Sequence, residues 1–176
     1  MYETYTALLI VDIQAGSFRE TEPLFKGDEL LKNVQLLISK ARLTQTPIVY
    51  MKYNDGPGKP LEQGTSGWEI HSSITPLVKD IIIEKDYPDS FHMTNLHQEL
   101  AARKIKRIVI TGIQSEVCVD ATCRSAYSLG YEVILVKDGH STYNSKILPA
   151  SQIIDHHNDI LGQWFSVLKK ADEIEF

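Results

Sequence analysis

Three side chains that could cooperate in nucleophilic catalysis each follow a short apolar run of the sequence. Asp12 comes directly after TALLIV, Lys85 directly after DIIIE, and Cys118 a few residues after RIVIT. A thiol can act as a nucleophile, a partly desolvated carboxylate can accept its proton, and a lysine can supply a positive charge beside them. In folds built on a parallel sheet, residues that follow the strands gather at one edge. The spacing therefore predicts a site for nucleophilic chemistry.

Asp12 and Lys85 each have a second interpretation. An Asp after a strand commonly caps a turn or a helix, and a Lys at a strand end is commonly solvated. Position alone leaves both interpretations open for each residue.

Both cysteines lie in the segment GIQSEVCVDATC, which runs from Gly112 to Cys123. Gly112 permits a tight exit from the preceding strand, so that Cys118 falls at or near the first turn of a predicted helix. The helix dipole and free N–H groups there lower a thiol pKa and can hold an oxyanion. We therefore expect Cys118 to be reactive and Cys123 to pack in the core. A disulfide is not expected, because Cα atoms five helical residues apart are separated by roughly 8 Å.

Metal and nucleotide sites have no support in the sequence. The cysteines and histidines show no CxxC or HxxxH spacing, which a structural zinc site would need. The glycine-rich signatures GxGxxG and GxxxxGK[ST] are also absent. No metal and no cofactor are therefore predicted.

The apolar runs predict the elements that must position these side chains. They do not alternate polar with apolar residues, which is typical of parallel strands covered on both faces. Strands are predicted at Thr6–Val11, Pro47–Tyr53, Asp80–Glu84, Arg107–Thr111 and Glu132–Val136, with a weaker sixth near Trp164–Leu168. Amphipathic segments between them predict helices at Gly27–Thr44, Thr94–Lys104, Cys118–Leu129 and Ile147–Leu161.

This alternation predicts an α/β fold: a three-layer α/β/α sandwich on a doubly wound, mostly parallel, six-stranded Rossmann-like sheet. All residues from 1 to 176 are expected to form a single domain. The one long loop is Asn54–Trp68, and loops of that length are often functional lids, although an ordinary surface excursion remains the alternative.

Composition excludes several classes of partner. The 176 residues carry a net charge of −5 without a run of Lys or Arg, so no nucleic-acid partner is expected. The longest apolar runs are strand-sized, so no membrane span is expected. The segment MYETYTALLIVD lacks the features of a signal peptide, which together with two cysteines predicts a cytoplasmic protein with reduced thiols.

Three stretches of the chain together resemble the isochorismatase-like cysteine hydrolases, which include nicotinamidases, N-carbamoylsarcosine amidase, ureidoacrylate amidohydrolase and streptothricin hydrolase. They are LLIVDIQ, EKDYPDSF and TGIQSEVCVDATCRSAYSLGYEVILVKDGHST. The resemblance implies that Asp12, Lys85 and Cys118 are a catalytic triad. It also implies a cis peptide bond between Ile113 and Gln114, with the amides of Gln114 and Cys118 forming an oxyanion hole.

By the same resemblance, the chain is expected to be a cysteine amidohydrolase that cleaves a C–N bond of a small amide, carbamoyl, ureido or lactam compound through a thioester. An isochorismatase-type vinyl ether hydrolase and a catalytically silent binding or scaffold protein are the alternatives. Nicotinamidases hold a metal after the second strand, where this chain offers only Asp55 and His71. A metal site is therefore not expected. A homodimer or homotetramer is expected, because members of the family commonly assemble in this way.

The substrate-binding residues are predicted from the loops that flank the site. They are Gln14, Phe18, Trp68, Tyr87 and Ser115. The family's Ser-Ala-Phe after the lysine reads Asp89-Ser90-Phe91 here, and we expect the extra carboxylate of Asp89 to favour a cationic group on the substrate.

Overall fold

All six strands of the sheet run parallel in the computed structural model, which describes residues 5–176. Their order across the sheet is β3-β2-β1-β4-β5-β6, so the chain winds outward in both directions from the central pair β1 and β4. The predicted six-stranded sandwich is confirmed, with an all-parallel rather than mostly parallel sheet. The strands are β1 (Thr6–Val11), β2 (Ile48–Tyr53), β3 (Ile81–Lys85), β4 (Arg107–Ile113), β5 (Glu132–Ser141) and β6 (Val167–Lys169).

Strands β4 and β5 extend further at their carboxyl ends than predicted. β4 continues through Ile113 and β5 continues through Ser141, with a shift of register between Ile110 and Gly112. The prediction ended β5 at Val136 because Lys137, Asp138 and Gly139 interrupt its apolar run.

The helices are α1 (Gly27–Leu43), α2 (Leu96–Ala102), α3 (Asp120–Ser128) and α4 (Ala150–Trp164). The helix predicted from Cys118 instead begins with a π-helical turn, Ser115–Val119, that leads into α3. Helix α4 starts three residues later than predicted, because Pro149 is extended and the N–H of Ala150 donates to the Asn144 side chain at 2.9 Å.

Apolar side chains cover both faces of the sheet. Helix α1 packs on one face through five buried residues, and helices α2, α3 and α4 pack on the other. Cys123 is among the latter group and is fully buried, as predicted. The helical residues that belong to the two apolar core clusters are Leu30, Val34, Leu37, Ile38 and Ala41 on the first face and Leu96, Leu100, Cys123, Ala126 and Leu161 on the second.

Gly112 lies inside β4, not at its exit, and lets the two central strands meet closely. It pairs with Val11 in register and has a φ of +141°. A Cβ atom at this position would lie 2.2 Å from the carbonyl oxygen of Val11. The absence of a side chain therefore allows the end of β1, with Asp12, to lie beside the segment that carries Cys118.

No helix within residues 5–176 is long and apolar enough to cross a membrane. The predicted absence of a signal peptide concerns a segment whose first residues, 1–4, lie outside the described residues.

Candidate active site

Asp12 and Lys85 form a buried ion pair at the carboxyl edge of the sheet. Asp12 follows β1, Lys85 ends β3, and the Lys85 Nζ lies 2.7 Å from Asp12 Oδ2. The Lys85 ammonium also donates to the carbonyl oxygens of Tyr87 and Pro88, at 3.1 Å and 3.0 Å. Three acceptors thus surround the ammonium group, which fixes both its position and its charge.

Burial makes Asp12 a better base than an ordinary carboxylate. Loss of solvent raises its pKa, and the opposing charge of Lys85 offsets this only in part. Burial lowers the pKa of Lys85, but the charges and hydrogen bonds of Asp12 and Cys118 together outweigh burial and leave the pKa raised. No main-chain N–H within residues 5–176 donates to the two carboxylate oxygens of Asp12. The carboxylate therefore remains available to accept a proton.

Cys118 is half-buried in the π-helical turn and interacts with both members of the ion pair. Burial, followed by the negative charge of Asp12, raises the pKa of its thiol to about 12. The expectation that the helix start lowers this pKa is therefore wrong, because burial and the Asp12 carboxylate raise it. The thiol is protonated at neutral pH, and a thiolate forms only if a base removes the proton.

The residues on either side of Cys118 donate main-chain hydrogen bonds to Gln114. The peptide bond between Ile113 and Gln114 is cis. The carbonyl oxygen of Gln114 accepts from the N–H groups of Val117 and Val119, at 3.2 Å and 3.0 Å. The N–H of Gln114 donates to no main-chain carbonyl within residues 5–176. Gln114 and Cys118 both line the same cavity.

A buried polar chain lies behind this turn and includes Ser115. Ser115 Oγ lies 2.7 Å from His140 Nδ1, and His140 Nε2 lies 3.0 Å from Asn158 Oδ1, while the Asn158 amide donates to the Lys137 carbonyl. Because Asn158 Oδ1 can only accept, His140 carries its proton on Nε2 and accepts from Ser115 through Nδ1. Burial lowers the pKa of His140 to about 4, which keeps the ring neutral. Ser115 therefore supports the turn and does not line the cavity, in contrast to its predicted role.

The reactive groups open into a cavity of about 340 Å³. This volume suits a small molecule. Its polar groups include Arg19 and Asp55 in addition to the catalytic candidates, and two tyrosines contribute aromatic surface. The lining residues are Asp12, Gly16, Ser17, Arg19, Tyr53, Asp55, Pro60, Leu61, Pro88, Ile113, Gln114, Val117, Cys118 and Tyr143.

Gln14 and Trp68 hold the long loop and do not line the cavity. The fully buried Gln14 amide donates to the carbonyl oxygens of Tyr53 and Trp68, and its oxygen accepts from the Tyr53 N–H at 2.8 Å. Trp68 donates to Asn54 Oδ1 at 2.8 Å and stacks under Lys52, whose Nζ lies 3.2 Å from the ring centroid. Their predicted roles in substrate binding are therefore corrected to positioning of this loop.

The remaining predicted wall residues also lie outside the lining. Phe18 packs against His71 at a centroid distance of 4.6 Å, and Tyr87 packs edge-on against His92 at the same distance. Asp89 accepts from the Phe91 N–H at 2.9 Å and from the Ser125 hydroxyl at 2.5 Å. Its carboxylate thus accepts hydrogen bonds from the protein and Asp89 is not among the lining residues, so its expected selection of a cationic substrate gains no support from the cavity and stays a prediction.

The loop Asn54–Trp68 forms one wall of the cavity through Pro60 and Leu61. The N–H of Gly16 donates to the carbonyl oxygen of Gly67 at 2.8 Å, and a Cβ atom on either glycine would collide with the Pro60 carbonyl oxygen. The loop is therefore tied closely to the segment after β1, unlike a free surface excursion.

Asp55 and His71 lie in different surroundings. Asp55 lines the cavity, whereas His71 accepts from the Ser73 N–H and caps the short 3₁₀ turn Ser72–Ile74. Within residues 5–176, no three side chains of His, Cys, Asp or Glu come together in a way that could hold a metal ion.

Comparison with known proteins gives consistent matches. The family model described as the isochorismatase domain matches residues 6–150. Streptothricin hydrolase of Streptomyces noursei is 32% identical over 177 residues, covering 97% of this chain, which spans only 64% of that relative's length. The ureidoacrylate amidohydrolase RutB of Cronobacter sakazakii is 36% identical over 81 residues, or 46% of this chain and 35% of the relative. The crystal structure of an isochorismatase family protein superposes with a TM-score of 0.89 at 30% identity, covering 94% of this chain and 98% of the other.

Proposed function

This chain belongs to the isochorismatase family, and we propose that it is a cysteine hydrolase that cleaves a C–N bond of a small amide, carbamoyl, ureido or lactam compound. The observation that carries the proposal is the meeting of the Asp12–Lys85 ion pair with the Cys118 thiol in one small cavity. The amidohydrolase among the relatives supports the reaction class. The Cys118 thiol keeps its proton and lies beside Asp12, a carboxylate whose pKa is raised, which supports an attack in which Asp12 removes the thiol proton.

In the proposed first half-reaction, Asp12 takes the proton of Cys118 as the sulfur attacks the substrate carbonyl carbon. The negative charge that develops on the carbonyl oxygen is held by the N–H groups of Gln114 and Cys118. The protonated Asp12 then gives its proton to the departing nitrogen, the C–N bond breaks, and a thioester remains. Lys85 keeps Asp12 in place and stabilises its ionised form. Loss of one such oxyanion donor typically costs about 10²–10³ in rate.

In the second half-reaction, a water molecule gives a proton to Asp12 and its oxygen adds to the thioester carbonyl. The C–S bond breaks, the sulfur recovers the proton from Asp12, and a carboxylic acid leaves. The site thus returns to its starting protonation state, with one water consumed for each C–N bond broken.

The test is a screen of small amides and ureas for ammonia release by the wild-type protein and two cysteine variants. We expect Cys118→Ala to lower kcat/KM by more than about 10³-fold, because the nucleophile is lost. Cys123→Ala, the matched control, removes a thiol from the core and should retain turnover. Full activity of Cys118→Ala, or cleavage of vinyl ethers in place of amides, would contradict the proposal. Absence of any turnover would favour the binding-protein alternative.

We also propose that the functional form is a homodimer or homotetramer located in the cytoplasm, acting on a small molecule and not on nucleic acid or membranes. The common assembly of family members supports the first part. Multi-angle light scattering at micromolar concentration tests it, and a monomer mass would contradict it.

A further inference from the structure

Asp55 is a carboxylate without a counter-ion that faces the proposed catalytic cavity. It follows β2 and lies half-buried in the cavity wall. One of its oxygens accepts from the Gly56 N–H at 2.9 Å, and its own N–H donates to the Leu61 carbonyl at 3.0 Å. Within residues 5–176, no lysine, arginine or histidine forms an ion pair with it.

The other charged side chains at the cavity each have an ion-pair partner within the protein, although the Nε of Arg19 is buried without a hydrogen-bond acceptor in the described part of the chain. The Lys85 ammonium is paired with Asp12, and Arg19 Nη2 lies 2.5 Å from Glu22 Oε2. Among the lining carboxylates of the described residues, Asp55 is therefore the one whose charge a bound cation can neutralise. Partial burial strengthens that interaction relative to one in open water.

The surroundings of Asp55 also suit an organic cation. Tyr53 and Tyr143 line the cavity, and aromatic rings attract ammonium and guanidinium groups. The apolar side chains of Leu61, Ile113 and Val117 can contact the alkyl part of such a molecule. Opposite charge, aromatic surface and apolar surface thus occur together in one small volume.

We propose that Asp55 binds an ammonium or guanidinium group of the substrate, so that the preferred substrate is a small cationic amide. This inference rests on the proposed function and narrows its substrate class. It assigns to Asp55 the role that the sequence predicted for Asp89, whose carboxylate is bound by Phe91 and Ser125.

The first test compares three amides of matched length: 5-aminopentanamide, the uncharged isostere hexanamide and the anion adipamate. For the wild type, we expect kcat/KM to be highest for the cation. In Asp55→Asn, the ratio of cation to neutral amide should fall by about tenfold or more, as expected for loss of a charge-assisted contact. Glu20→Gln, which removes one charge from an exposed residue outside the catalytic cavity, should leave this ratio unchanged.

A second test does not depend on turnover. Methanethiosulfonates with an aminoethyl, a methyl or a sulfonatoethyl group react with a thiol in the same way: the thiol proton is lost, the sulfur forms a disulfide, and methanesulfinate leaves. Mass spectrometry then gives the rate of modification at Cys118, with Cys118→Ala as the control for other sites. The rate of Cys118 modification by the aminoethyl reagent is divided by the rate for the methyl reagent, and this ratio is divided by the same ratio measured with glutathione. We expect the result to fall about tenfold in Asp55→Asn.

The outcomes separate this inference from the proposed function. Cys118-dependent amide hydrolysis with charge ratios that Asp55→Asn does not change would overturn the cation site and leave the hydrolase standing. Preference for adipamate and the sulfonatoethyl reagent, lost in Arg19→Gln, would overturn it in favour of an anionic substrate. No hydrolysis of any amide, together with an Asp55-dependent preference for the aminoethyl reagent, would support the cation site and count against the amidase.

Discussion

At the scale of single residues, the site pairs a base made stronger by burial with a thiol made less acidic by it. Asp12 loses solvent, and its contacts with Lys85 and Cys118 offset this loss only in part, so its pKa rises. The Cys118 thiol next to it keeps its proton up to a pKa of about 12. In the proposed mechanism, proton transfer from Cys118 to Asp12 therefore accompanies the attack on the substrate, since the thiol holds its proton until then.

The pH dependence of turnover follows from these two directions. The proposed mechanism needs Asp12 ionised, so kcat/KM for an uncharged amide should fall on acidification with a midpoint above 3.8, the ordinary carboxyl value. No gain is expected between pH 7 and pH 10, because the thiol does not ionise in that range. Stopped assays of ammonia release from acidic pH up to pH 10 measure both the expected fall on acidification and the expected plateau above pH 7. A rise near pH 8.5, the pKa of an ordinary cysteine, would show attack by a free thiolate instead.

The buried ion pair gives a prediction for stability that is distinct from activity. Asp12→Asn and Lys85→Met each leave one buried group without its partner, and such changes typically cost about 3–5 kcal/mol of unfolding free energy. The double variant removes both charges and should be less destabilised than the two single changes added together, while it remains inactive. Urea unfolding of the four proteins measures this coupling. Additive losses would mean that the two side chains contribute independently.

Residue types and spacing were sufficient to predict the three catalytic candidates, because each directly follows or closely follows a strand that the sequence marks clearly. The cavity walls were not predictable in the same way. Gln14 and Trp68 have side chains suited to ligand binding, but the fold turns both toward the loop. Arg19 and Tyr143 line the cavity from positions far apart in the chain, and no local pattern indicates that they meet.

At the scale of elements, the close approach of β1 and β4 depends on one residue without a side chain. In Gly112→Ala, the added Cβ would meet the Val11 carbonyl oxygen at 2.2 Å in a backbone conformation that side chains rarely adopt. We expect a loss of about 3 kcal/mol or more of unfolding free energy, together with loss of activity. Gly130→Ala is the matched control: Gly130 also has a positive φ, of 86°, but a Cβ there meets no atom within 4 Å.

Urea unfolding of both glycine variants measures the difference, and equal losses would mean that backbone conformation alone explains the cost at Gly112.

The structure also shows why strand ends were harder to predict than strand centres. β1 has the predicted bounds, because its six residues are all buried and apolar or nearly so. β5 extends past Lys137 and Asp138 because its main chain pairs with β4. The hydropathy of the side chains does not reveal this pairing.

At the scale of the whole molecule, stability should depend on pH through His140. Its pKa is about 4 in the folded chain against 6.5 for an ordinary histidine. Between these values the unfolded chain binds a proton that the folded chain does not, so acidification favours unfolding. From pH 6.5 down to pH 4 this contributes a loss of about 3 kcal/mol of unfolding free energy.

Urea unfolding at several pH values, compared with His140→Gln, isolates this contribution from that of other groups. The advantage of the wild type over the variant at pH 7 should shrink as the pH falls toward 4. If the difference in unfolding free energy between wild type and variant stayed constant with pH, His140 would accept a proton in the folded state. The buried hydrogen bonds of His140 to Ser115 and Asn158 do not favour that protonation.

The π-helical turn Ser115–Val119 has a consequence for how this chain could diverge. Such a turn holds one residue more than an α-helical turn, so a single deletion within it would leave a regular helix and an intact fold. The helix residues before the deletion would rotate by roughly 100° relative to those after it, and the thiol would no longer face Asp12. One lost codon could thus separate a folded, silent homologue from an active one, without any change to Asp12, Lys85 or Cys118.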